Sequence, residues 1–302
     1  MIKTILAPSA ELASDVPADV TIEAEYGAVV ISGKIYTAAH HQAGMESRPA
    51  PCNDKDIPAL EDNGVILVSH LDLDSIGGAL RAMGVTTLFT EDFQGFWDLA
   101  AFIDTNGPHK LTVSGASDLD QERLYAFWAW KEKVVPRFDT TVTHNVTAYV
   151  YQACDALAFI FSGDEAHLEA GRLMKARTDE LNDATFERVF GKVLVRVTDD
   201  ELGFCNHLYD TVSGDVCAAV AAYNKDGGTI TISLADEIAN VSCRDIMQNL
   251  FGNEAGGHLG IAGSPREQHM TYHEFTEAVE TLAAAIDANV GNELVLEDSI
   301  AS

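Results

Sequence analysis

The sequence predicts an α/β protein of two domains, an N-terminal parallel-sheet domain and a smaller C-terminal α/β domain. Three observations predict this. The apolar run Gly64-Val-Ile-Leu-Val68 reads as a short buried parallel strand. A ligand-rich turn and then a helical pattern (Ala79, Leu80, Ala82, Met83) follow it at once, the place where open α/β sheets put their chemistry. From Val189 the pattern changes to apolar strands broken by turn residues. The expected divisions are 1–150 for the first domain, 151–188 for a helical connection and 189–302 for the second domain.

Residues 1–24 are mixed, with a turn at Asp15-Val-Pro-Ala-Asp19, and Val20-Thr-Ile-Glu-Ala-Glu25 alternates as a strand does. Tyr26 to Gly33 and Lys34 to Ala38 suggest a hairpin turning at Ser32-Gly33. The proline-rich, charged stretch 45–63 reads as a mobile loop. Thr86 to Thr90 suggests a further strand. Phe96, Leu99 and Phe102 mark a helix that breaks at Asn106-Gly107-Pro108. Helices are expected over Leu119 to Lys133, Ala148 to Phe161 and Asp164 to Leu181. Beyond them come strands at Gly191 to Val197, Val216 to Tyr223 and Thr229 to Leu234, the last two joined by the turn Asn224-Lys-Asp-Gly-Gly228. A loop or short helix is expected at Gly203 to Tyr209. Ser242 and Asp245 give a capping-box start to a helix ending at Phe251, and Thr271 to Ala288 forms the closing helix before a frayed acidic end.

The chemistry concentrates at His70-Leu-Asp72-Leu-Asp74, where alternate side chains share one face if the chain stays extended. An imidazole and two carboxylates suit Mn²⁺, Mg²⁺ or Zn²⁺. The bland reading of the same residues is an acidic helix cap. Adjacent histidines His40 and His41 reach a common metal only from a turn. Asp104, Asn106 and His109 lie around the glycine-proline break, and His144 opens a helix. The small residues Gly256-Gly257-His258-Leu-Gly260 allow backbone amides to approach an anion closely.

The formal charge is −28, with 47 acidic and 19 basic residues. Tight tracking of long duplex nucleic acid is therefore excluded, because it needs many Lys/Arg–phosphate contacts. Five widely spaced cysteines without a C-x-x-C pair fit a reduced, cytoplasmic protein. No apolar segment reaches the ~18–20 residues of a membrane span, and no signal peptide is read at the start.

Ile230-Thr-Ile-Ser-Leu, Val241-Ser-Cys-Arg-Asp-Ile and Gly256-Gly257-His258-Leu-Gly-Ile-Ala262-Gly263 together resemble the C-terminal domain associated with DHH phosphoesterases. Ser69-His70-Leu-Asp72-Leu-Asp74-Ser-Ile-Gly77 resembles the first motif of that superfamily, as written in the RecJ-like nucleases and oligoribonucleases. The likeness covers residues ~64 to ~288. It departs from the pattern in that no Asp-His-His triplet follows the first motif, and Ala39 rather than Asp precedes the His pair. Tyr36-Thr-Ala-Ala-His40-His41-Gln42 and Ala100-Ala-Phe-Ile-Asp104-Thr-Asn106-Gly107 are similar to elements of the related Myg exonuclease family. A rearranged chain order and a degenerate member are both consistent with this.

The resemblance implies a phosphodiesterase or phosphohydrolase with two manganese ions, with Mg²⁺ or Zn²⁺ as other occupants. Two ions ~3.5–4 Å apart can activate water and clamp the attacking and leaving oxygens. It implies His40, His41, His70, Asp72, Asp74 and Asp104 as ligands, and His109 or His144 as general acid or phosphate contact. It implies that 1–150 is the metal-binding catalytic domain and 189–302 the substrate-binding domain across a cleft, with Gly256, Gly257, His258 and Asn106 binding the substrate, a small phosphorylated molecule such as a short oligonucleotide, cyclic dinucleotide or nucleotide. A homodimer is a further expectation. The alternative is a non-catalytic nucleotide-binding member of the same superfamily.

Overall fold

A computed structural model describes residues 1–41, 44–45, 47–184, 186–199, 209, 216–265 and 268–298, with backbone alone at 109, 112–113, 182–184, 186–187 and 290–298. The chain divides into two compact units, Met1–Thr105 with Lys110–Arg177, and Asn106–His109 with Thr178–Ser302.

The first unit is built on a five-stranded sheet. Its strands are β1 (Lys3–Leu6), β2 (Val20–Ile22), β5 (Tyr36–Ala38), β6 (Val65–Val68) and β7 (His144–Asn145), with the hairpin β3 (Glu25–Tyr26) and β4 (Val29–Val30) standing apart from it. The order is β5-β2-β6-β1-β7, parallel except for the edge strand β7. Val20, Ile22, Ile66, Leu67 and Val68 are fully buried, as strands covered on both faces require. One face packs Leu67 and Val65 on α1 (Ala10–Ser14), whose Ser9 cap accepts from the Leu12 amide. Against Ile22 lies α2 (Leu73–Ala82), where a Cβ on Gly78 would come 2.9 Å from the Ile22 side chain. The helices α3 (Gln94–Asn106), α4 (Asp118–Val134), α5 (Thr147–Phe161) and α6 (Glu165–Ala184) follow.

Three expectations for this unit are corrected. Tyr36–Ala38 does not pair back in a hairpin but joins β2 in parallel, because the chain already turns tightly at Gly27 (φ 57°) between β3 and β4. Residues 86–90 form no strand; they wrap the end of α2, and Leu88 O accepts the Trp97 indole N–H at 2.7 Å. The 45–63 stretch is anchored in its middle, where Pro51–Asn53 forms a 3-10 turn and Pro51, Cys52 and Asp54 are buried. Strand β1 and helix α1 were not read from the mixed N-terminal residues at all.

The second unit carries β8 (Phe186–Phe190), β9 (Val193–Thr198), β10 (Ala219–Asn224), β11 (Thr229–Leu234), β12 (Gly256–Gly257) and β13 (Ile261–Gly263). They lie in the order β12-β13-β11-β10-β9-β8, with only β9 and β10 parallel. One face buries Val193, Val195, Ala221, Ile230 and Ile232 with α7 (Cys243–Phe251) and α8 (Tyr272–Asp298). On the other, Leu194 and Val220 pack with Cys217 and Tyr209, whose hydroxyl lies 2.6 Å from both Ser233 Oγ and Leu234 O. The Ser242 cap is present, accepting from the Asp245 amide at 3.1 Å. Helix α8 continues to Asp298, beyond the expected end at Ala288. Most of Gly203 to Tyr209 lies outside the described residues. No helix among the described residues is long and apolar enough to cross a membrane.

Candidate metal centre

Three adjacent parallel strands, β5, β2 and β6, end in register, with Ile22 facing Ala38 on one side and Val68 on the other. The residues just past those ends therefore form a row: Glu23 in the middle, Ala39-His40-His41 on one flank and Ser69-His70 on the other. Glu23 N still donates to Ala38 O at 2.9 Å, and the Ser69 hydroxyl bonds Glu23 O. Glu23 then turns with φ 47°, a left-handed conformation that costs a non-glycine residue about 1–3 kcal/mol and clusters at functional sites.

The central carboxylate is split between two groups. Glu23 Oε1 lies 2.7 Å from His41 Nε2 and 3.4 Å from His40 Nε2; Oε2 lies 3.3 Å from His70 Nε2. Asp104, from the end of α3, places Oδ2 3.0 Å from His40 Nε2 and 3.6 Å from His41 Nε2. Asp72 Oδ2 is 2.7 Å from His70 Nε2. Two ligand sets result, Glu23, His40, His41 and Asp104 in one, Glu23, His70 and Asp72 in the other.

Around these ligands are groups that aim them. Ser69 Oγ contacts His70 Nδ1 at 2.8 Å and fixes the ring so that Nε2 faces the carboxylates. Asp72 is also the N-cap of α2, its Oδ1 accepting from Ser75 N at 2.8 Å while Oδ2 stays with His70. The metal and cap readings of this residue are thus carried by its two different oxygens. Asp74, 2% exposed, accepts from Cys52 N at 2.7 Å through Oδ1, and its Oδ2 lies 3.6 Å from His40 Nε2.

Four carboxylates and three imidazoles in so little water form an electrostatic imbalance. Burial and then the neighbouring Glu23 charge push Asp74 up to about 8. Burial alone would lower His41, but Asp104 and Glu23 raise it to about 9. His40 is likewise held well above the usual imidazole range, the neighbouring Asp104, Asp74 and Glu23 carboxylates outweighing its burial. For Asp72, burial is opposed by His70, which holds it below the ordinary carboxylate range. Glu23 Oε2 and Asp74 Oδ2 are buried and accept no hydrogen bond. Orphaned carboxylate oxygens beside convergent imidazole nitrogens fit divalent cations such as Mn²⁺, Mg²⁺ or Zn²⁺.

Of the residues singled out in the sequence, His40, His41, His70, Asp72, Asp74 and Asp104 meet here. His144 does not. It sits on edge strand β7, two strands from β6, with Nε2 2.7 Å from Asp139 O and its ring on Phe138. The side chain of His109 lies outside the described residues. Asn106 ends α3. In the second unit, Gly256 and Gly257 form β12, with Gly257 at φ 141° and so close to Ala262 that a Cβ would meet its Cα at 2.7 Å; buried His258 follows. Glu23 and Glu25 were missed. In the sequence they are two acids on an alternating strand, among 47 acids.

No family model matches the chain. No curated protein matches it either. Among solved structures it is similar to the pGpG-specific phosphodiesterase PggH from Vibrio cholerae, at 11% identity and a TM-score of 0.36, covering 77% of this chain and 81% of that one. It is also similar to an uncharacterized protein from Helicobacter pylori G27, at 10% identity and a TM-score of 0.20, covering 76% of each chain. TM-scores below 0.5 do not establish a shared fold, and neither likeness bears on the function.

Proposed function

We propose that the protein is a metal-dependent phosphoesterase that hydrolyses a small phosphorylated substrate with two divalent cations, Mn²⁺ first among them. The observation that carries this reading is Glu23, one carboxylate shared by two separate sets of imidazole and carboxylate donors. A shared carboxylate is the arrangement two neighbouring cations need. His40, His41 and Asp104 would hold one with Glu23 Oε1, and His70 and Asp72 the other with Glu23 Oε2; Asp74 Oδ2 stands on the first side. When bound, such ions lower the pKa of water and neutralise charge on phosphoryl oxygens.

The chain's own groups set the geometry. Ser69 orients His70, and Cys52 orients Asp74. The buried row at the strand ends keeps bulk water from Glu23 and His40, which are 1% and 2% exposed. The resemblance assigns the proton donor to His109 and the substrate contacts to Gly256, Gly257, His258 and Asn106, residues of the second unit. The overall charge of −28 favours a small substrate over a long polyanion.

The test is Mn²⁺ stoichiometry by calorimetry, together with turnover of bis(p-nitrophenyl) phosphate and a panel of linear and cyclic dinucleotides. Two ions per chain and Mn²⁺-dependent hydrolysis are expected. Two ions without turnover would favour the non-catalytic nucleotide-binding alternative. Fewer than two ions and no turnover would end the catalytic reading.

A further inference from the structure

Adjacent residues of an extended chain point to opposite sides, yet His40 and His41 converge on one oxygen. Their rings lie 4.2 Å apart, tilted by 49°, and both Nε2 atoms face Glu23 Oε1. Something must bend the chain there. Strand β5 ends at Ala38, so the amides that follow leave the sheet. Both are taken up by Glu25. His40 N donates to Glu25 Oε2 and His41 N to Glu25 Oε1, each at 3.1 Å. One carboxylate thus grips two consecutive peptide groups.

Glu25 belongs to neither ligand set. It is 9% exposed, on the two-residue strand β3 of the separate hairpin, where a buried carboxylate is costly unless its oxygens are satisfied. The residue between the two acids, Ala24, is buried in the apolar cluster with Ala7 and Leu67 and fixes the spacing of Glu23 and Glu25. The segment 23–25 therefore sends one carboxylate into the centre and uses the next to shape the chain that carries its partners. Charge-assisted bonds to backbone amides are the strong kind and define direction.

We infer that Glu25 is a positioning residue: its carboxylate clamps the His40 and His41 amides and so turns both imidazoles onto Glu23. This deepens the proposed metal centre and rests on it. The clamp acts selectively, because Glu25 holds the amides of His40 and His41, ligands of one ion set, and not those of His70 or Asp72.

Two variants test it. Glu25→Gln keeps the shape but presents an amide NH₂ to one of the backbone donors; Glu25→Ala removes the clamp. Titration with Mn²⁺ alone, and with Co²⁺ followed by its visible spectrum, should show one ion weakened by about 10–100-fold in Glu25→Gln, the range for lost groups that orient ligands, and the other unchanged. A general loss of fold would weaken both ions together, and so would overturn the inference. Both ions binding as in the parent protein would overturn it too.

Amide exchange of the metal-free protein supplies a reading that does not depend on ions. The His40 and His41 amides should exchange slowly in the parent and at least tenfold faster in Glu25→Ala, with the β1 and β6 amides unchanged. Unchanged exchange at His40 and His41 would overturn the clamp. A parent that binds no ion but shows the exchange difference would overturn the metal centre and leave the clamp standing.

Discussion

The backbone N–H of Cys52 donates to Oδ1 of Asp74 at 2.7 Å. This bond joins a turn that looks like loose loop in the sequence to the first turn of α2. It leaves Oδ2 facing His40. The turn is itself latched: Arg81 Nε donates to Cys52 O at 2.7 Å, and the Tyr36 hydroxyl donates to Asp54 Oδ2 at 2.8 Å.

That latch predicts the effect of filling the space beneath it. A Cβ at Gly77 would sit 2.6 Å from Cys52 Cβ and 2.9 Å from the Trp97 ring. Gly77→Ala should lower stability by about 1–3 kcal/mol, the ordinary cost of overpacking. It should also weaken Mn²⁺ binding by displacing the Cys52 amide from Asp74. Denaturant unfolding and calorimetry on the same preparation check both.

Removing ligands should separate the two ion sets. His70→Ala should leave one Mn²⁺ per chain, because Glu23, His40, His41 and Asp104 persist. Glu23→Ala should abolish both, since both sets use that carboxylate. Metal content after gel filtration decides this; one retained ion in Glu23→Ala would show that the carboxylate is not shared.

The metal-free protein should lose stability as pH rises from about 4 to about 9. His41 binds its proton more tightly folded than unfolded, so its contribution is complete below about 6.5 and fades as pH passes about 9. Asp74 acts in the same sense, staying protonated when folded until about pH 8, whereas it ionises near 4 when unfolded. Asp72, held below its ordinary range, opposes this only at acid pH, where its contribution is lost as pH falls. Mn²⁺ must displace these protons, so its affinity should rise with pH and its binding should release protons. Thermal melts across pH, with and without Mn²⁺, give the measurement.

Salt should stabilise the metal-free chain. With a net charge of −28, self-repulsion is strong at low ionic strength. Raising KCl from about 0.1 to 1 M shortens the screening length from about 10 to 3 Å. A melting temperature that falls over this range would contradict the expectation.

The parts of the centre legible in the sequence are those whose chemistry coincides with a local pattern. His70, Asp72 and Asp74 stand at the end of a continuous apolar run, and an apolar run followed by ligands is informative at any composition. The His pair is visible as a doublet, but why it converges is not, because that depends on Glu25 from another segment. Glu23 was hidden for a different reason. One acid on an alternating strand looks like a solvated face, and only the pairing of β2 between β5 and β6 makes it central. β5 was misread as half of a hairpin because parallel partners lie far apart in the chain and leave no turn between them. The strand expected at 86–90 had the right residue types and no neighbour to pair with.

The order β5-β2-β6 also bears on when the centre can exist during folding. The strands carrying the imidazoles never touch each other; each touches β2. Each ion set is complete only when β2 has docked on the strand that carries its imidazoles, β5 for one and β6 for the other, and the first set also needs Asp104 from α3. An ion therefore has nothing to bind before β2 has paired with one of these neighbours, and cannot seed that pairing. It can only hold together a pairing already made, so Mn²⁺ should slow unfolding and leave the rate of that first pairing unchanged.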